Sequence, residues 1–478
     1  MISANPYLDA MIPGYRKLLE ANTSVAQRVC GLFVIFLLLF SSHAQGQSFK
    51  ETYPRIARFD MRNSNDLGDP EFRQRLARHD ILVLGTWRGF SVTDNVTGER
   101  LRLRDVVVDI KNRAQSIGNR GILVGKYTNI NESGNNPDNS ASRDKWDKLH
   151  SETGPGYPRN NDWYARDKNG EHTGTWPGSW LTNVTDFVQR DANGDTYSEW
   201  VVRRDYDLFF RDTPELDLWF FDNWFYRPRV DADWDGDGVD DDRNDPAVRT
   251  YFRQGYRDAL DRARELAPGM VFMGNADGDA PSNNGMLTEP EYRGQLTAIH
   301  EGAMGQDWSA ETWGGWKMMM RQYQTTIFNA QHNVAIMNVK GDEHDYAMMR
   351  YGLASCLLDN GYYYYSLSDR TYTANFWFDE YDIDLGRAID PPQFDEWQNG
   401  VYRRRFENGM AIVNPKGNGT RTVQIGPGYK RFSGTQDPST NNGQVAESVT
   451  LGERDGLILV RIDGPATDRP KPPVLDAL

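Results

Sequence analysis

The amino-acid sequence predicts an α/β fold, a (β/α)8 TIM barrel followed by a small C-terminal antiparallel β domain. Between residues 55 and 366, short apolar runs of strand length alternate with longer amphipathic stretches, the pattern of βα units around a parallel sheet. After residue 366 the pattern changes, because residues 402–413 alternate around Asn408 and Gly409, a turn signal typical of a β-hairpin. The strand-like runs number eight, as a parallel barrel requires, and they are 55–60, 80–85, 121–127, 217–222, 270–275, 296–301, 333–338 and 361–366.

The segments between these runs predict helices and one long loop. Helical periodicity favours helices at 70–79, 247–267, 310–329 and 343–358. Residues 128–195 are rich in Gly, Asn, Asp and Trp and are interpreted as a long third loop, although 180–184 could be a ninth strand. We therefore expect the barrel to span 45–398, the β domain 399–465, and the proline-rich residues 466–478 to form a disordered tail.

The N-terminal region has the features of a signal peptide. The apolar run 29–40 follows Arg28 and is too short to span a bilayer comfortably. Ser42 and Ala44 supply the small residues of a cleavage site, which predicts a signal peptide over 1–44. The mature protein is then expected to be secreted or periplasmic, without membrane association after cleavage. An uncleaved membrane anchor is the alternative.

Composition excludes two broad classes of function. The 478 residues include 54 Lys and Arg against 68 Asp and Glu, a formal net charge of -14, which argues against nucleic acid as the main partner. The mean hydropathy of -0.71 excludes a protein with many membrane spans. No phosphate-binding glycine loop or dinucleotide-binding glycine turn occurs at a βα junction.

Polar and aromatic side chains occur at the ends of the predicted strands. In a parallel barrel these positions build the reactive face. A rim of carboxylates, amides and aromatic rings suits a sugar, because aromatic faces stack on pyranose rings while polar groups bind hydroxyls. The strand-end residues are Asp60, Tyr127, Asp222, Asn275 and Glu301, with Trp87 in the loop after the second strand.

Asp222 and Glu301 are the candidate catalytic residues. Asp222 follows the apolar run 218–221, where hydrocarbon surroundings can change the pKa of a carboxyl group. Glu301 ends a later strand, and two carboxyl groups across a barrel mouth are the minimum equipment for hydrolysis of a glycoside. The alternative is that each carboxylate caps its own strand end.

Further residues near the predicted rim are candidates for substrate binding. Asn223 and Trp224 follow Asp222 directly, and Asp277 lies in a turn-like sequence after Asn275. Ordinary turn formation and packing are the competing interpretations for these residues. The full set of predicted substrate-binding residues is Asp60, Trp87, Tyr127, Asn223, Trp224, Asn275, Asp277, Trp308 and Lys340.

An acidic segment at 231–242 resembles a calcium loop. Asp233, Asp235, Asp237 and Asp241 take positions 1, 3, 5 and 9 of such a loop, with Gly238 at the turn. Position 12 lacks the bidentate glutamate, so the loop is incomplete. A structural Ca²⁺ site and a solvated acidic loop are both open, and no cofactor is expected for the chemistry itself.

The ordered combination of these motifs resembles a known family. It comprises the sequence 221–224 (Phe-Asp-Asn-Trp), the Tyr127 strand with its Trp- and Gly-rich loop, the sequence 300–302 (His-Glu-Gly), and the acidic stretch 378–386. Over roughly 53–460 the chain resembles the glycosyl hydrolase TIM barrels, and most nearly the hypothetical glycosyl-hydrolase-like family fifteen. By analogy with related barrels, the resemblance implies that Asp222 is the nucleophile and Glu301 the acid/base.

The predicted function is that of a secreted glycoside hydrolase acting on a polysaccharide, oligosaccharide or glycoconjugate. The competing interpretations are a non-catalytic carbohydrate-binding protein and a Ca²⁺-dependent surface protein on the same scaffold. Geometry discriminates between them, because carboxyl groups ~5–5.5 Å apart imply retention, ~6.5–9.5 Å inversion, and a much wider separation binding alone. Asp60, Asp277 and Glu132 are the candidates for a substituted partner.

Overall fold

The computed structural model describes residues 49–60, 64–85, 91–136, 143–149, 163–275, 287, 289–290, 292–368 and 372–464. The predicted signal peptide and the predicted tail lie outside the described residues. Within these ranges, no helix combines the length and the apolar character needed to cross a membrane.

Eight parallel strands form a nearly closed barrel. Neighbouring strands pair in chain order, and a parallel bridge from Ile56 to Tyr363 connects the first strand to the last. Each strand corresponds to one of the eight predicted runs. The strands are β1 (Ala57–Asp60), β2 (Ile81–Leu84), β3 (Leu123–Asn129), β4 (Leu218–Asp222), β5 (Val271–Gly274), β6 (Thr297–Met304), β7 (Ala335–Lys340) and β8 (Tyr362–Ser366).

Seven α-helices in the described part of the chain connect these strands. Several begin at a residue whose side chain accepts a hydrogen bond from the first turn, such as Asp69, Ser309 and Asp345, which satisfies an otherwise unpaired backbone N–H. The four predicted helices correspond to α1, α5, α6 and α7. The helices are α1 (Pro70–Leu76), α2 (Leu103–Ser116), α3 (Arg143–Leu149), α4 (Tyr197–Asp205), α5 (Pro246–Leu266), α6 (Ala310–Asn329) and α7 (Tyr346–Leu357).

Alternation along the strands divides the core into two layers. Since successive side chains of a strand point to opposite faces, every second residue enters the barrel interior. Phe59 and Phe220 meet there with ring centroids 4.7 Å apart, whereas Trp219 and Phe221 on the same strand face the helices. The interior layer comprises Ala57, Phe59, Ile81, Val83, Leu123, Leu218, Phe220, Val271, Met273, Ile299, Val334, Ile336, Tyr362 and Tyr364.

Two short hairpins interrupt the regular βα order. In the long third loop, Glu132–Gly134 pairs antiparallel with Ser179–Leu181 outside the barrel, so the run 180–184 supplies no ninth barrel strand. A similar hairpin joins Ser91–Thr93 to Arg100–Arg102 before α2. The loop hairpin is the more important one for the site, because it brings Glu132 toward the end of β4.

The C-terminal region forms two antiparallel sheets. The four-stranded sheet has the order β9-β10-β14-β12, and β11 pairs with β13. The hairpin predicted around Asn408 and Gly409 is formed by β9 and β10. β14 packs closely on α7, where a side chain at Gly456 would meet the carbonyl oxygen of Arg350. The strands are β9 (Tyr402–Phe406), β10 (Gly409–Asn414), β11 (Arg421–Gln424), β12 (Tyr429–Arg431), β13 (Ser448–Leu451) and β14 (Asp455–Arg461).

Candidate active site

A cavity of about 610 Å³ lies at the carboxyl ends of the barrel strands. Its volume falls in the usual range for a ligand pocket. The lining combines carboxyl, amide, cationic and aromatic side chains. The lining includes Tyr127, Asn129, Glu132, Trp176, Asp222, Phe225, Arg229, Asn275, Glu301, Trp308, Trp313, Lys340 and Tyr372.

Strand alternation explains why the polar residues of this cavity converge. Tyr127, Asp222, Asn275, Glu301 and Lys340 continue the alternation of the inward-facing residues of β3 to β7. Each therefore lies on the axis side of its strand, beyond the apolar interior layer toward the carboxyl end. These five residues form the polar wall of the cavity.

Asp222 is buried in a network of donors. The Tyr127 hydroxyl donates to its Oδ2 at 2.5 Å, and Asn275 Nδ2 donates to its Oδ1 at 2.9 Å. The backbone N–H of Asn223 also donates to Oδ1, at 2.9 Å. Burial and then the charge of Glu301 raise the pKa of Asp222, although the three hydrogen bonds oppose this change. Removal from water therefore outweighs donor stabilisation of the anion.

Glu301 shares one of these donors with Asp222. Asn275 Nδ2 donates to Glu301 Oε2 at 2.7 Å, and the Tyr372 hydroxyl donates to Oε1. Lys340 Nζ in turn donates to the Tyr372 oxygen at 2.6 Å. Because one nitrogen bonds both carboxylates, Asp222 Oδ1 and Glu301 Oε2 are no farther apart than about 5.6 Å, the sum of the two bonds.

Two backbone features shape the rim. Asn223 has φ 55°, and its carbonyl accepts hydrogen bonds from Tyr256 at 2.8 Å and from Asn131 at 3.2 Å. Gly302 has φ 63°, and a Cβ there would lie 2.1 Å from the Trp308 ring. Glycine at this position therefore allows Trp308 to pack beside the strand end that carries Glu301.

Most predicted site residues come together in the cavity. Tyr127, Asn223, Asn275, Trp308 and Lys340 all line it beside the two candidate catalytic carboxyl groups. Trp87 and Asp277 lie outside the described residues.

Two predicted substrate-binding residues lie elsewhere. Asp60 has the outward-facing parity of β1 and is fully buried, with a carboxylate oxygen 3.4 Å from Arg58 Nη2. Trp224 is fully buried against Tyr256, with ring centroids 4.9 Å apart. Trp224 packs into the core because the left-handed conformation of Asn223 breaks the strand alternation just before it. Neither side chain lines the cavity.

Several cavity residues were missed from the sequence. Most of them lie on loops, so no periodicity marked them. Trp313 lies in the first turn of α6, just before Gly315 breaks the helical geometry with φ 78°. Trp176 and Trp313 line the cavity and are 45% and 55% exposed, unusually high for tryptophan. The others are Asn129 at the end of β3, Phe225, Arg229 and Tyr372, while the sequence suggests Glu132 only as a replacement acid.

The acidic loop brings three of its four predicted ligands together. Oxygen atoms of Asp233, Asp235 and Asp237 all lie within 4.8 Å of one another. Asp241 is not in this cluster, since its Oδ2 accepts a 2.9 Å hydrogen bond from the backbone N–H of Trp234. Burial raises the pKa of Asp241. The donor set of clustered carboxylates suits a hard cation such as Ca²⁺.

The solved structures that align with this chain include three enzymes of low sequence identity. The glycoside hydrolase domain of PelA from Pseudomonas aeruginosa is 12% identical, with a TM-score of 0.36 over 68% of this chain and 97% of that one. The GH36 α-galactosidase AgaA from Geobacillus stearothermophilus is 8% identical, with a TM-score of 0.39 over 87% of this chain and 56% of that one. The cycloalternan-forming enzyme from Listeria monocytogenes is 9% identical, with a TM-score of 0.40 over 87% and 42%. The chain thus spans about half the length of the latter two enzymes.

The family comparison is more direct. No curated protein matches the chain in sequence. The profile of hypothetical glycosyl hydrolase family 15 matches residues 127–410, more than half of the chain. The matched region begins at Tyr127, includes Asp222 and Glu301, and ends in the first hairpin of the β domain. The chain therefore belongs to hypothetical glycosyl hydrolase family 15 and is a glycoside hydrolase.

Proposed function

We propose that this protein is a retaining glycoside hydrolase that cleaves a polysaccharide or oligosaccharide with Asp222 and Glu301. The observation that carries the proposal is the single Asn275 amide nitrogen that donates to both carboxylates. The resulting limit of about 5.6 Å between the two bonded oxygens supports the close carboxyl pair of retaining enzymes, ~5–5.5 Å apart, over the wider pair that holds a water in inverting enzymes. It also argues against the non-catalytic alternative, which required widely separated acids.

Asp222 is the proposed nucleophile. Its oxygen attacks the anomeric carbon, the glycosidic C–O bond breaks, and the departing oxygen takes a proton from Glu301. Glu301, now ionised, then removes a proton from water, which attacks the anomeric carbon and releases Asp222. Three hydrogen-bond donors hold the Asp222 carboxylate in place for the first step.

Tyr372 and Lys340 are proposed to keep Glu301 in position and to stabilise its anion. The Tyr372 hydroxyl donates to Glu301, and the Lys340 ammonium group lies 2.6 Å from that hydroxyl oxygen. A charge-assisted chain of this kind stabilises the carboxylate that forms once the proton has left. The Tyr127 hydroxyl donates to Asp222 in the same way that Tyr372 donates to Glu301.

The aromatic residues favour a sugar chain as the substrate. Trp176 and Trp313 are half exposed at the cavity, and Trp308 lies beside the strand end that carries Glu301. Such rings stack on the C–H faces of pyranose units, while the carboxylates and amides bind hydroxyls. The predicted signal peptide supports secretion, which would give the enzyme access to extracellular polysaccharides.

The acidic loop is proposed to hold a structural Ca²⁺. Asp233, Asp235 and Asp237 would be its side-chain ligands. The loop follows β4, which ends at Asp222, so an ion there would order one wall of the cavity without taking part in bond cleavage.

The test of the function is hydrolysis of a panel of bacterial, algal and plant polysaccharides, measured as release of reducing ends. We expect Asp222→Asn and Glu301→Gln each to lower kcat/KM by about 10³-fold or more, since each removes a group that acts on the reacting bond. Asp261→Asn is the matched control, because Asp261 is an exposed carboxylate of α5 paired with Arg264. Unchanged hydrolysis by both cavity variants would refute the assignment.

The stereochemical outcome is tested separately. Proton NMR of the first product should show the anomeric configuration of the substrate, and methanol should be glycosylated as an alternative acceptor. A mechanism-based fluorosugar of the correct configuration should label Asp222, as read by peptide mass spectrometry. Inverted product would overturn the retaining mechanism while leaving hydrolysis intact.

A further inference from the structure

We propose that Glu132 is a third carboxyl group of the active site and that it binds the substrate as a neutral acid, donating its proton in a hydrogen bond to a sugar hydroxyl beside Asp222. The inference rests on the proposed function, since it concerns the same cavity and the same class of substrate. It assigns Glu132 to substrate binding rather than to bond cleavage.

The backbone of Glu132 is fixed to the end of β4. Glu132 pairs with Leu181 in the loop hairpin. The preceding residue, Asn131, donates from its amide to the carbonyl of Asn223 at 3.2 Å and to the Tyr256 hydroxyl at 3.1 Å. The loop is thereby attached to the segment that directly follows Asp222, so Glu132 keeps a fixed place beside the nucleophile.

The carboxyl group of Glu132 is partly satisfied and partly open. The Asn129 side chain hydrogen-bonds to it. Its Oε1 is enclosed and has no hydrogen-bond partner among the described residues. An enclosed anionic oxygen without a donor is costly, which favours a neutral carboxyl group whose proton is on the other oxygen, Oε2, from which it can be donated toward the cavity.

The charges around Glu132 also favour its neutral form. Asp222 repels the ionised form, while Arg229 and Lys145 attract it. Burial and Asp222 outweigh both cations and raise the pKa of Glu132 to about 7. Tyr127 and Tyr256 also face Glu132, and the pKa of each hydroxyl is raised by burial, so both stay neutral near pH 7.

The nearest charge to Glu132 acts in the same direction. Ionisation of Glu132 would place a second negative charge next to the proposed nucleophile, Asp222. The neutral group instead offers one O–H donor to a hydroxyl oxygen of the sugar at the cleavage point.

The experiment compares Glu132→Gln with Glu132→Ala in the full mature chain, using the pH dependence of kcat/KM. A carboxamide keeps the shape and a donor but cannot ionise. We expect wild-type activity to fall as pH rises through about 7, the region where Glu132 loses its proton. Glu132→Gln should stay within about threefold of wild type at pH 6 and lack this alkaline decline. Glu132→Ala should be 10- to 100-fold slower at every pH.

Two outcomes would overturn the inference. One is a Glu132→Gln variant as inactive as Glu132→Ala, which would show that the ionised form is needed. The other is the same alkaline limb in wild type and Glu132→Gln. Glu447→Gln is the control, since Glu447 is exposed between β12 and β13 and far in sequence from the cavity.

A stability and binding measurement separates this inference from the proposed function. Glu132→Gln should raise the Tm relative to wild type far more at pH 8 than at pH 4, since between the unfolded pKa of 4.5 and the folded pKa of about 7 ionisation of Glu132 favours the unfolded chain. Oligosaccharide binding to Asp222→Asn should weaken as pH rises, from a lower pH than in wild type because the Asp222 charge no longer raises the pKa of Glu132, and adding Glu132→Gln should abolish that weakening. If binding follows this pattern without any hydrolysis, the hydrolase proposal fails and the Glu132 inference stands. If no glycan of the panel is cleaved or bound, both fail.

Discussion

Two clusters of carboxylates, one at the barrel rim and one in the acidic loop that follows β4, receive their hydrogen bonds from different sources. Asp222 and Glu301 are held by side-chain donors from other strands and loops, with Asn275 shared between them. Asp233 and Asp237 instead accept hydrogen bonds from backbone N–H groups of their own loop, those of Gly238 and Val239. Asp222 and Glu301 are half-buried at the cavity, whereas Asp237 is exposed and Asp233 and Asp235 are half-buried.

The difference shows why a count of acidic residues does not locate chemistry. Each carboxylate of the loop cluster accepts a hydrogen bond from a backbone N–H of the loop, and water screens their mutual repulsion. At the rim, burial and the neighbouring Glu301 raise the pKa of Asp222 despite three donors. A carboxyl group can exchange protons or attack a carbon where its charge is incompletely solvated and its donors are fixed by the scaffold.

Removal of the donor that Asp222 and Glu301 share should have the largest effect on activity. Asn275→Ala deletes the nitrogen that bonds both rim carboxylates, so the two negative charges repel without a bridge. We expect kcat/KM to fall by about 10²- to 10³-fold, the usual effect of losing one fixed donor. Asp237→Asn, in the acidic loop, should leave kcat/KM within about twofold. Comparable losses in both variants would contradict the separation of the two clusters.

Breaking the two hydrogen bonds that connect Lys340 to Tyr372 and Tyr372 to Glu301 should have a smaller effect on activity. Lys340→Met removes the cation that lies 2.6 Å from the Tyr372 hydroxyl, and Tyr372→Phe removes the donor to Glu301. Each should lower kcat/KM by about 10- to 100-fold, since charge-assisted bonds contribute roughly 1.5–3 kcal/mol.

A double-mutant cycle checks that these two residues act together. If Lys340 acts through Tyr372, the double variant should be little slower than Tyr372→Phe alone. Fully additive losses would instead mean that Lys340 contacts the substrate independently, for instance at a sugar hydroxyl.

The sequence predicted the barrel well because its eight strands are short, mostly apolar runs, as is typical of buried parallel strands. Within these runs, the alternation of side chains between the two faces of a strand places Asp222, Asn275 and Glu301 on one wall of the cavity. Parity also excludes Asp60, which lies one residue out of phase with the interior residues Ala57 and Phe59.

The remaining site residues depend on three-dimensional features with weak sequence signals. Trp224 turns into the core because Asn223 adopts a left-handed conformation, which asparagine tolerates better than most residues but does not require. Tyr372, Trp176 and Trp313 reach the cavity from loops or from a broken helical turn. Their positions follow from how distant segments pack, so spacing along the chain could not reveal them.

Calcium removal should produce the smallest change in activity, and it tests the acidic loop directly. If Ca²⁺ binds Asp233, Asp235 and Asp237, a chelator should lower the Tm by roughly 5 °C, because a ligand present at 100 times its Kd stabilises the folded state by about 2.7 kcal/mol. Asp235→Asn should lower the Tm similarly and make it insensitive to chelator, while kcat/KM at 25 °C stays within about twofold of wild type. Isothermal titration with Ca²⁺ should give one site in wild type and none in this variant.

An unchanged Tm with and without chelator would mean that the loop is a solvated acidic segment. A loss of activity as large as that of Asn275→Ala would mean that the two clusters are coupled through the end of β4.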